Sequence, residues 1–153
     1  MECCGEVRAI DIQGNVAWLA TSQGLAAYDI SNPLEPTYLD SMGGEYGQNI
    51  DGETMWWDMD LSDVHVQGGW AYATTVNNES GFALLVTFNI SDPAAIMNTR
   101  RLFDEAFVDL GEIDVVGDRA YLTSKVSPVM IVDVEDPQST KLIAKASANG
   151  SGQ

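Results

Sequence analysis

One phrase occurs three times in this chain and constrains the fold more than any other feature. Apolar residues lead to Asp or Asn and then to a turn with Pro, in AAYDISNPLEP (26–36), VTFNISDPAAI (86–96) and MIVDVEDPQST (130–140). Recurrence of this kind indicates copies of one supersecondary unit. A unit of this size cannot bury its own apolar face, so neighbouring units must pack together.

Each unit is predicted to contain four short antiparallel strands. Gly14, Gly68 and Gly117 mark a two-residue hairpin at an equivalent place in each unit, 54 and 49 residues apart. The third strand is a continuous apolar run, and the phrase above is the turn into a weaker fourth strand, because Pro cannot continue a ladder. No segment keeps an apolar period of 3.6 residues, so we expect little helix.

Four antiparallel strands about every 45 residues are typical of β-propeller blades. We therefore predict an all-β, propeller-like fold of three four-stranded antiparallel blades. The predicted segments are an N-terminal leader or edge at 1–6, blades at about 7–42, 61–102 and 107–146, an insertion at 43–60 and a flexible tail at 147–153. Closed propellers need about four to eight blades. Three blades therefore predict either a piece of a longer protein, which the abrupt start and polar tail favour, or half of a six-bladed ring made by two copies.

The three units resemble the LVIVD repeat family. The resemblance lies in GNVAWLATSQGLAAYDISNPLEP, in GGWAYATT with ALLVTFNISDP, and in GDRAYLTS with VMIVDVEDP, and it covers most of residues 7–146. It implies β-propeller-type repeats of bacterial and archaeal surface or secreted proteins, and no catalytic residues come with it. The second unit departs from the pattern in FNISDP, where Asp is usual, and in a longer link, VNNESG (76–81).

Charge excludes two classes of partner. The chain has 23 acidic and 7 basic residues, a net charge of −16, and no Lys or Arg occurs between Arg8 and Arg100. Nucleic acids and anionic lipid surfaces are bound through Lys and Arg, so we expect the chain to bind neither. Membrane insertion is not expected either, because no apolar run is long enough to span a bilayer. Basic proteins, cations and neutral ligands such as glycans remain as partners.

The N-terminal cysteines and the compartment are less constrained. Cys3 and Cys4 are adjacent, and neighbours can form only a strained ring, so we expect free thiols. The chain has no visible leader and no apolar run near the ~20 residues of a membrane helix. We expect an extracellular or cell-surface protein if the chain is a piece, and a cytoplasmic one if it is complete.

The first candidate site lies in the insertion, GGEYGQNIDGETMWWDMD. Strand direction predicts that this insertion and the link at 76–81 open on the same face. Trp56 and Trp57 adjoin Asp58 and Asp60, and aromatic rings beside carboxylates can bind sugars or cations. The alternative is that a tryptophan fills the gap between blades while the acids are solvated.

The second candidate site lies on the innermost strands. Asp63, His65, Glu112 and Asp114 occupy equivalent positions in successive units, so they are predicted to converge on a central channel. One histidine with carboxylates suits a divalent cation, and no other cofactor is expected. The alternative is a water-filled channel without a ligand.

No nucleophile elbow or phosphate-binding glycine loop is present, so catalysis lacks a motif. We therefore predict a non-catalytic binding module that binds a protein or a glycan through loops on one face. The competing hypothesis is a fragment of a hydrolase or lyase, with a metal or acid–base site around Asp63, His65 and Glu112. A third possibility is a structural protein that pairs with another copy of itself to complete a ring.

Overall fold

A computed structural model describes residues 5–146, which form fourteen β-strands and no helix. In chain order the strands are β1 (Val7–Gln13), β2 (Val16–Thr21), β3 (Gly24–Asp29), β4 (Thr37–Met42), β5 (Glu45–Ile50), β6 (Glu53–Asp58), β7 (Leu61–Gln67), β8 (Trp70–Thr75), β9 (Leu85–Asn89), β10 (Met97–Leu102), β11 (Leu110–Val116), β12 (Arg119–Ser124), β13 (Met130–Asp133) and β14 (Lys141–Lys145). The all-β prediction is confirmed. Within this part of the chain, no helix is long and apolar enough to cross a bilayer. Cys3, Cys4 and the predicted tail at 147–153 lie outside the described residues.

The strands form three four-stranded antiparallel sheets and one hairpin. Sheet 1 contains β1–β4, sheet 2 contains β7–β10 and sheet 3 contains β11–β14, each paired in chain order. The hairpin pairs β5 with β6 and occupies the predicted insertion. The predicted count of three sheets is therefore not matched, because residues 43–60 add a fourth, two-stranded sheet.

The hairpin forms because its sequence contains a strong turn signal. Asp51 and Gly52 connect β5 to β6 and both have positive φ, 55° and 88°. An Asp-Gly pair tolerates this backbone better than other residues, and such turns match the twist of a two-residue hairpin. The Gly52 N–H also donates to Asn49 Oδ1 at 3.2 Å.

The repeated phrase forms a turn held by its own side chains. The last residue of each third strand accepts a hydrogen bond from the N–H two residues later, at 2.8, 3.0 and 2.9 Å for Asp29, Asn89 and Asp133. The residue before each proline does the same, at 3.1, 3.0 and 3.0 Å for Asn32, Asp92 and Asp136. Asn replaces the usual Asp at position 89 without loss of the bond, since either side chain has an acceptor oxygen.

Two apolar layers lie between consecutive four-stranded sheets. One contains Trp18 and Leu25 of sheet 1 with Val66 of sheet 2, and the other contains Tyr72 of sheet 2 with Ile113 of sheet 3. Burial raises the pKa of the Tyr72 hydroxyl to about 12. Strand β7 contacts both β1 and β11, so the first strands of the three sheets are neighbours, as the repeat predicts.

Candidate functional site

The two departures from the repeat meet around one cavity. The hairpin lines one side, the link after β8 lines the other, and the cavity volume is about 480 Å³. Its lining residues are Glu45, Thr54, Met55, Trp56, Trp57, Asp58, Asp60, Val76, Asn77, Asn78, Glu79 and Ser80. All four predicted ligand-binding residues are among them. We call this space the hairpin cavity.

The two adjacent tryptophans have different roles because successive residues of a strand point to opposite faces. Trp57 is 1% exposed, packs beside Tyr46 and Phe103, and donates its indole N–H to Phe82 O at 2.9 Å. Trp57 therefore fills the apolar layer, which is the structural alternative stated for this pair.

Trp56 is 59% exposed. Its six-membered ring lies over Gly47, its cross-strand partner, where an added Cβ would come within 2.7 Å of ring atom Cζ3. The absence of a side chain at Gly47 lets the ring lie flat on the hairpin backbone. Trp56 thus forms an exposed aromatic platform at the cavity.

Of the carboxylates that line the cavity, only Asp60 has a basic partner among the described residues. Asp60 is paired with Arg8, which also donates to Leu61 O at 3.1 Å, and the hydrogen bond to Asp60 raises the pKa of Arg8. Glu45 and Asp58 are exposed and lie directly opposite each other in the hairpin ladder. Like charges in this position repel each other, and among the described residues no Lys or Arg lines the cavity.

Glu45 and Glu79 were not identified from the sequence. Glu79 belongs to the link and lines the same cavity as the hairpin residues. Glu45 reaches the cavity because the Asp51–Gly52 turn places it opposite Asp58. That turn was the sequence signal that could have located Glu45.

The link is anchored to sheet 3. Asn77 Nδ2 donates to Asp109 Oδ1 at 2.7 Å, and the Asp109 N–H donates back to Asn77 Oδ1 at 3.0 Å. Asp109 adopts positive φ, 52°, an uncommon backbone state for a residue with a side chain. A second cavity, of about 470 Å³, also borders the link and shares Val76 and Asn77 with the hairpin cavity.

The predicted metal residues are neighbours, and three of the four make specific contacts. His65 Nδ1 lies 3.2 Å from Asp114 Oδ1 and 3.9 Å from Asp11 Oδ2. Asp63 Oδ2 accepts the Ile113 N–H at 2.9 Å. Asp63, Glu112 and Asp114 line a third cavity, of about 340 Å³, and His65 does not.

Among residues 5–146, no group of three or more His, Cys, Asp or Glu side chains is arranged to hold a metal ion. A divalent cation at Asp63, His65, Glu112 and Asp114 stays a prediction. The geometry instead gives Asp63 a structural contact, because its carboxylate bonds the backbone of the next sheet.

Comparison with known families gives a match to one part of the chain, which contains sheet 1. Residues 4–42 match the family model of the LVIVD repeat. This match confirms the predicted resemblance and coincides with sheet 1, which ends at Met42. The turn inside the matched segment has the same hydrogen bond as the equivalent turns of sheets 2 and 3.

The structural comparison supports the fold alone. The crystal structure of the computationally designed Ika4 protein is similar with a TM-score of 0.63 and 8% sequence identity, over 99% of this chain and 78% of that chain. No curated protein matches the sequence.

Proposed function

We propose that this chain is a non-catalytic binding module whose sheets are arranged like propeller blades, and that the hairpin cavity binds a basic segment of a partner protein. The LVIVD repeat and the neighbouring first strands β1, β7 and β11 support the arrangement. A cell-surface or secreted location belongs to the same proposal.

One observation carries the proposed ligand class. The hairpin cavity combines the exposed ring of Trp56 with Glu45, Asp58 and Glu79. None of these carboxylates is paired with an Arg or Lys in the described part of the chain. A Lys or Arg side chain gains both from the ring face and from nearby carboxylates. It also relieves the repulsion between Glu45 and Asp58.

The size and origin of the cavity agree with this role. Ligand sites commonly occupy about 300–1,000 Å³, and the hairpin cavity lies within that range. Its walls come from the two segments that depart from the repeat, and binding residues concentrate on such additions to a rigid scaffold. A net charge of −16 also attracts basic partners over a distance.

Calorimetric titration tests the proposal with tetralysine and tetra-arginine peptides, a tetraglutamate peptide and a neutral oligosaccharide. We expect the basic peptides alone to bind, and more weakly as salt screens the charges. Trp56→Ala should weaken binding about 10-fold, the equivalent of about 1.4 kcal/mol. The pair Asp58→Asn and Glu79→Gln should also weaken it and reduce its salt dependence.

Matched controls separate the cavity from general charge. Leu34→Ala removes an exposed apolar side chain and Glu35→Gln an exposed carboxylate, both in the turn before β4 and away from the cavity. Both controls should bind as the parent chain does. Equal binding by Trp56→Ala, or binding of the oligosaccharide in place of the peptides, would contradict the proposal; the second result would assign the cavity to glycans.

A further inference from the structure

From the contacts between consecutive sheets, we infer that the outer face of sheet 3 binds the outer face of sheet 1 in a second copy of this chain. Two such contacts, arranged head to tail, would join two copies into one closed ring. We call the outward faces of sheets 1 and 3 the leading face and the trailing face. This inference does not depend on the hairpin cavity.

The leading face of sheet 1 has apolar residues whose equivalents in sheet 2 are buried inside the molecule. Ile10 and Ile12 of β1 are equivalent to Val64 and Val66 of β7, counted from Gly14 and Gly68 in the hairpin turns. Val66 is 8% exposed because sheet 1 covers it, whereas Ile12 is 55% exposed. An apolar strand face shaped to receive another sheet is therefore uncovered.

The trailing face of sheet 3 has residues equivalent to those of sheet 2 that receive the first strand of sheet 3. Tyr72 of sheet 2 is 2% exposed beneath sheet 3, and its equivalent in sheet 3, Tyr121, is 38% exposed. Tyr121 lines the cavity of about 340 Å³ together with Glu112, Asp114 and Val129. Inside the molecule the equivalent position receives the apolar residues of the next first strand, so Ile10 and Ile12 of a second copy fit this one.

The same hydrogen bond recurs between the first strands of consecutive sheets, β1 with β7 and β7 with β11, and we call it the inter-sheet rule. A carboxylate on one sheet accepts the N–H of the residue one position further along in the next sheet. Asp11 Oδ2 accepts the Val66 N–H at 2.7 Å, and Asp63 Oδ2 accepts the Ile113 N–H at 2.9 Å.

The trailing face carries the equivalent carboxylates, and the leading face carries the equivalent N–H groups. Asp114 is equivalent to Asp11 and its side chain is 72% exposed, and the exposed Glu112 is equivalent to Asp63. On the leading face, the Ile12 N–H donates at 2.9 Å to Asp11, its own neighbour, in place of a carboxylate from a preceding sheet. The rule assigns Asp114 to the Ile12 N–H and Glu112 to the Ile10 N–H of the second copy.

The outer edges of the sheets make separate polar contacts inside the molecule. Asp40 of β4 accepts the Ile96 N–H at 2.8 Å, and Arg100 of β10 donates to Thr140 O at 2.7 Å. At the next contact the equivalent positions are Ala144 of β14 and Pro36 of the second copy. Pro36 has no N–H to donate and Ala144 has no polar side-chain group, so neither of these two contacts recurs at this edge, and the pairing depends on the first strands and the apolar faces.

Sedimentation velocity tests the inference on the 153-residue chain. We expect a concentration-dependent species of twice the 16.5 kDa chain mass. Each copy carries a charge of −16, so pairing should be tighter in about 0.5 M than in about 0.05 M salt. A monomer at all concentrations in high salt, or an open series of larger species, would overturn the closed pair.

Charged substitutions then identify the faces. Ile12→Asp on the leading face and Tyr121→Asp on the trailing face should each raise the dissociation constant about 100-fold or more, because each buries an unpaired charge. Leu34→Asp adds the same charge to an exposed apolar position outside both faces and should leave pairing unchanged.

Mixing the two variants distinguishes head-to-tail pairing from symmetric pairing. It also shows whether a variant that does not pair alone is still folded. An Ile12→Asp chain keeps an intact trailing face, and a Tyr121→Asp chain keeps an intact leading face. Equimolar mixing should therefore restore mixed pairs through one intact contact, although each variant alone is monomeric. If one variant alone still pairs normally, or if mixing restores nothing while both variants show parent-like thermal unfolding, the head-to-tail contact is wrong.

Discussion

Two regions of the molecule collect carboxylates and use them differently. On the first strands, Asp11 and Asp63 each bond a backbone N–H of the adjacent sheet. In the hairpin, Glu45 and Asp58 lie opposite each other with like charge. The first arrangement recurs because it joins units, whereas the second occurs in one inserted element. Asp11 and Asp63 therefore join neighbouring sheets. We propose that Glu45 and Asp58, which have no such partner, are available to a ligand.

The sharpest contrast lies within the insertion, between its two tryptophans. Trp57→Ala should lower the free energy of unfolding by about 3–5 kcal/mol, because it opens a cavity in a buried layer. Trp56→Ala should cost less than about 1 kcal/mol, the scale of one cross-strand pair. Urea unfolding of both variants measures the difference. Similar losses would mean that the hairpin does not separate a structural face from an exposed one.

Removing a carboxylate between sheets should have the next largest effect. Asp63→Ala leaves the Ile113 N–H without its acceptor, and we expect a loss of about 1.5–3 kcal/mol in the free energy of unfolding. Glu112→Ala is the matched control, because Glu112 is exposed at the equivalent position of sheet 3. The measurement is chemical denaturation of the isolated single chain at low concentration. Equal losses for the two variants would remove the distinction between bonded and exposed carboxylates.

The link beside the hairpin cavity should show a smaller effect. Asn77→Ala removes both hydrogen bonds to Asp109, at about 1–2 kcal/mol in total. Amide hydrogen exchange should become faster at Asp109 and nearby, while Val66 and Ile113 keep their protection. Faster exchange throughout sheet 3 would show that the link supports the sheet and does not only shape the cavity.

The smallest effect concerns the repeated turn. The hydrogen bond from Ser31 holds the pKa of Asp29 below its usual value. The stabilisation is therefore fully present above the unfolded-state pKa of about 3.9 and is lost as the pH falls through the lower folded-state pKa. Asp29→Asn keeps an acceptor, as Asn89 does, and should flatten this acid-side loss. Unfolding curves measured between pH 7 and pH 2 that fall equally steeply for both proteins would contradict this role.

Sequence reasoning located the units but not all contacts of the site. The turns follow from short-range bonds such as Asp29 to Ser31, and the LVIVD resemblance follows from the same residues. The repeat pattern does not predict the hairpin, because residues 43–60 have no counterpart in the other units; the local signal for it is the Asp51–Gly52 turn. The burial of Trp57 and the pairing of Asp60 with Arg8 depend on packing between sheets, which a linear pattern does not encode.

The central claim is that a ligand binds the carboxylates of the hairpin and not those of the first strands. It is tested most directly by mapping where a basic ligand binds. Backbone amide NMR spectra would be recorded while tetralysine is titrated into the chain. Shifts should concentrate in the hairpin at 45–58 and the link at 76–80, and the amides of Val66 and Ile113 should stay unchanged. Shifts concentrated instead around Asp63, His65 and Glu112 would contradict the assignment of ligand binding to the insertion.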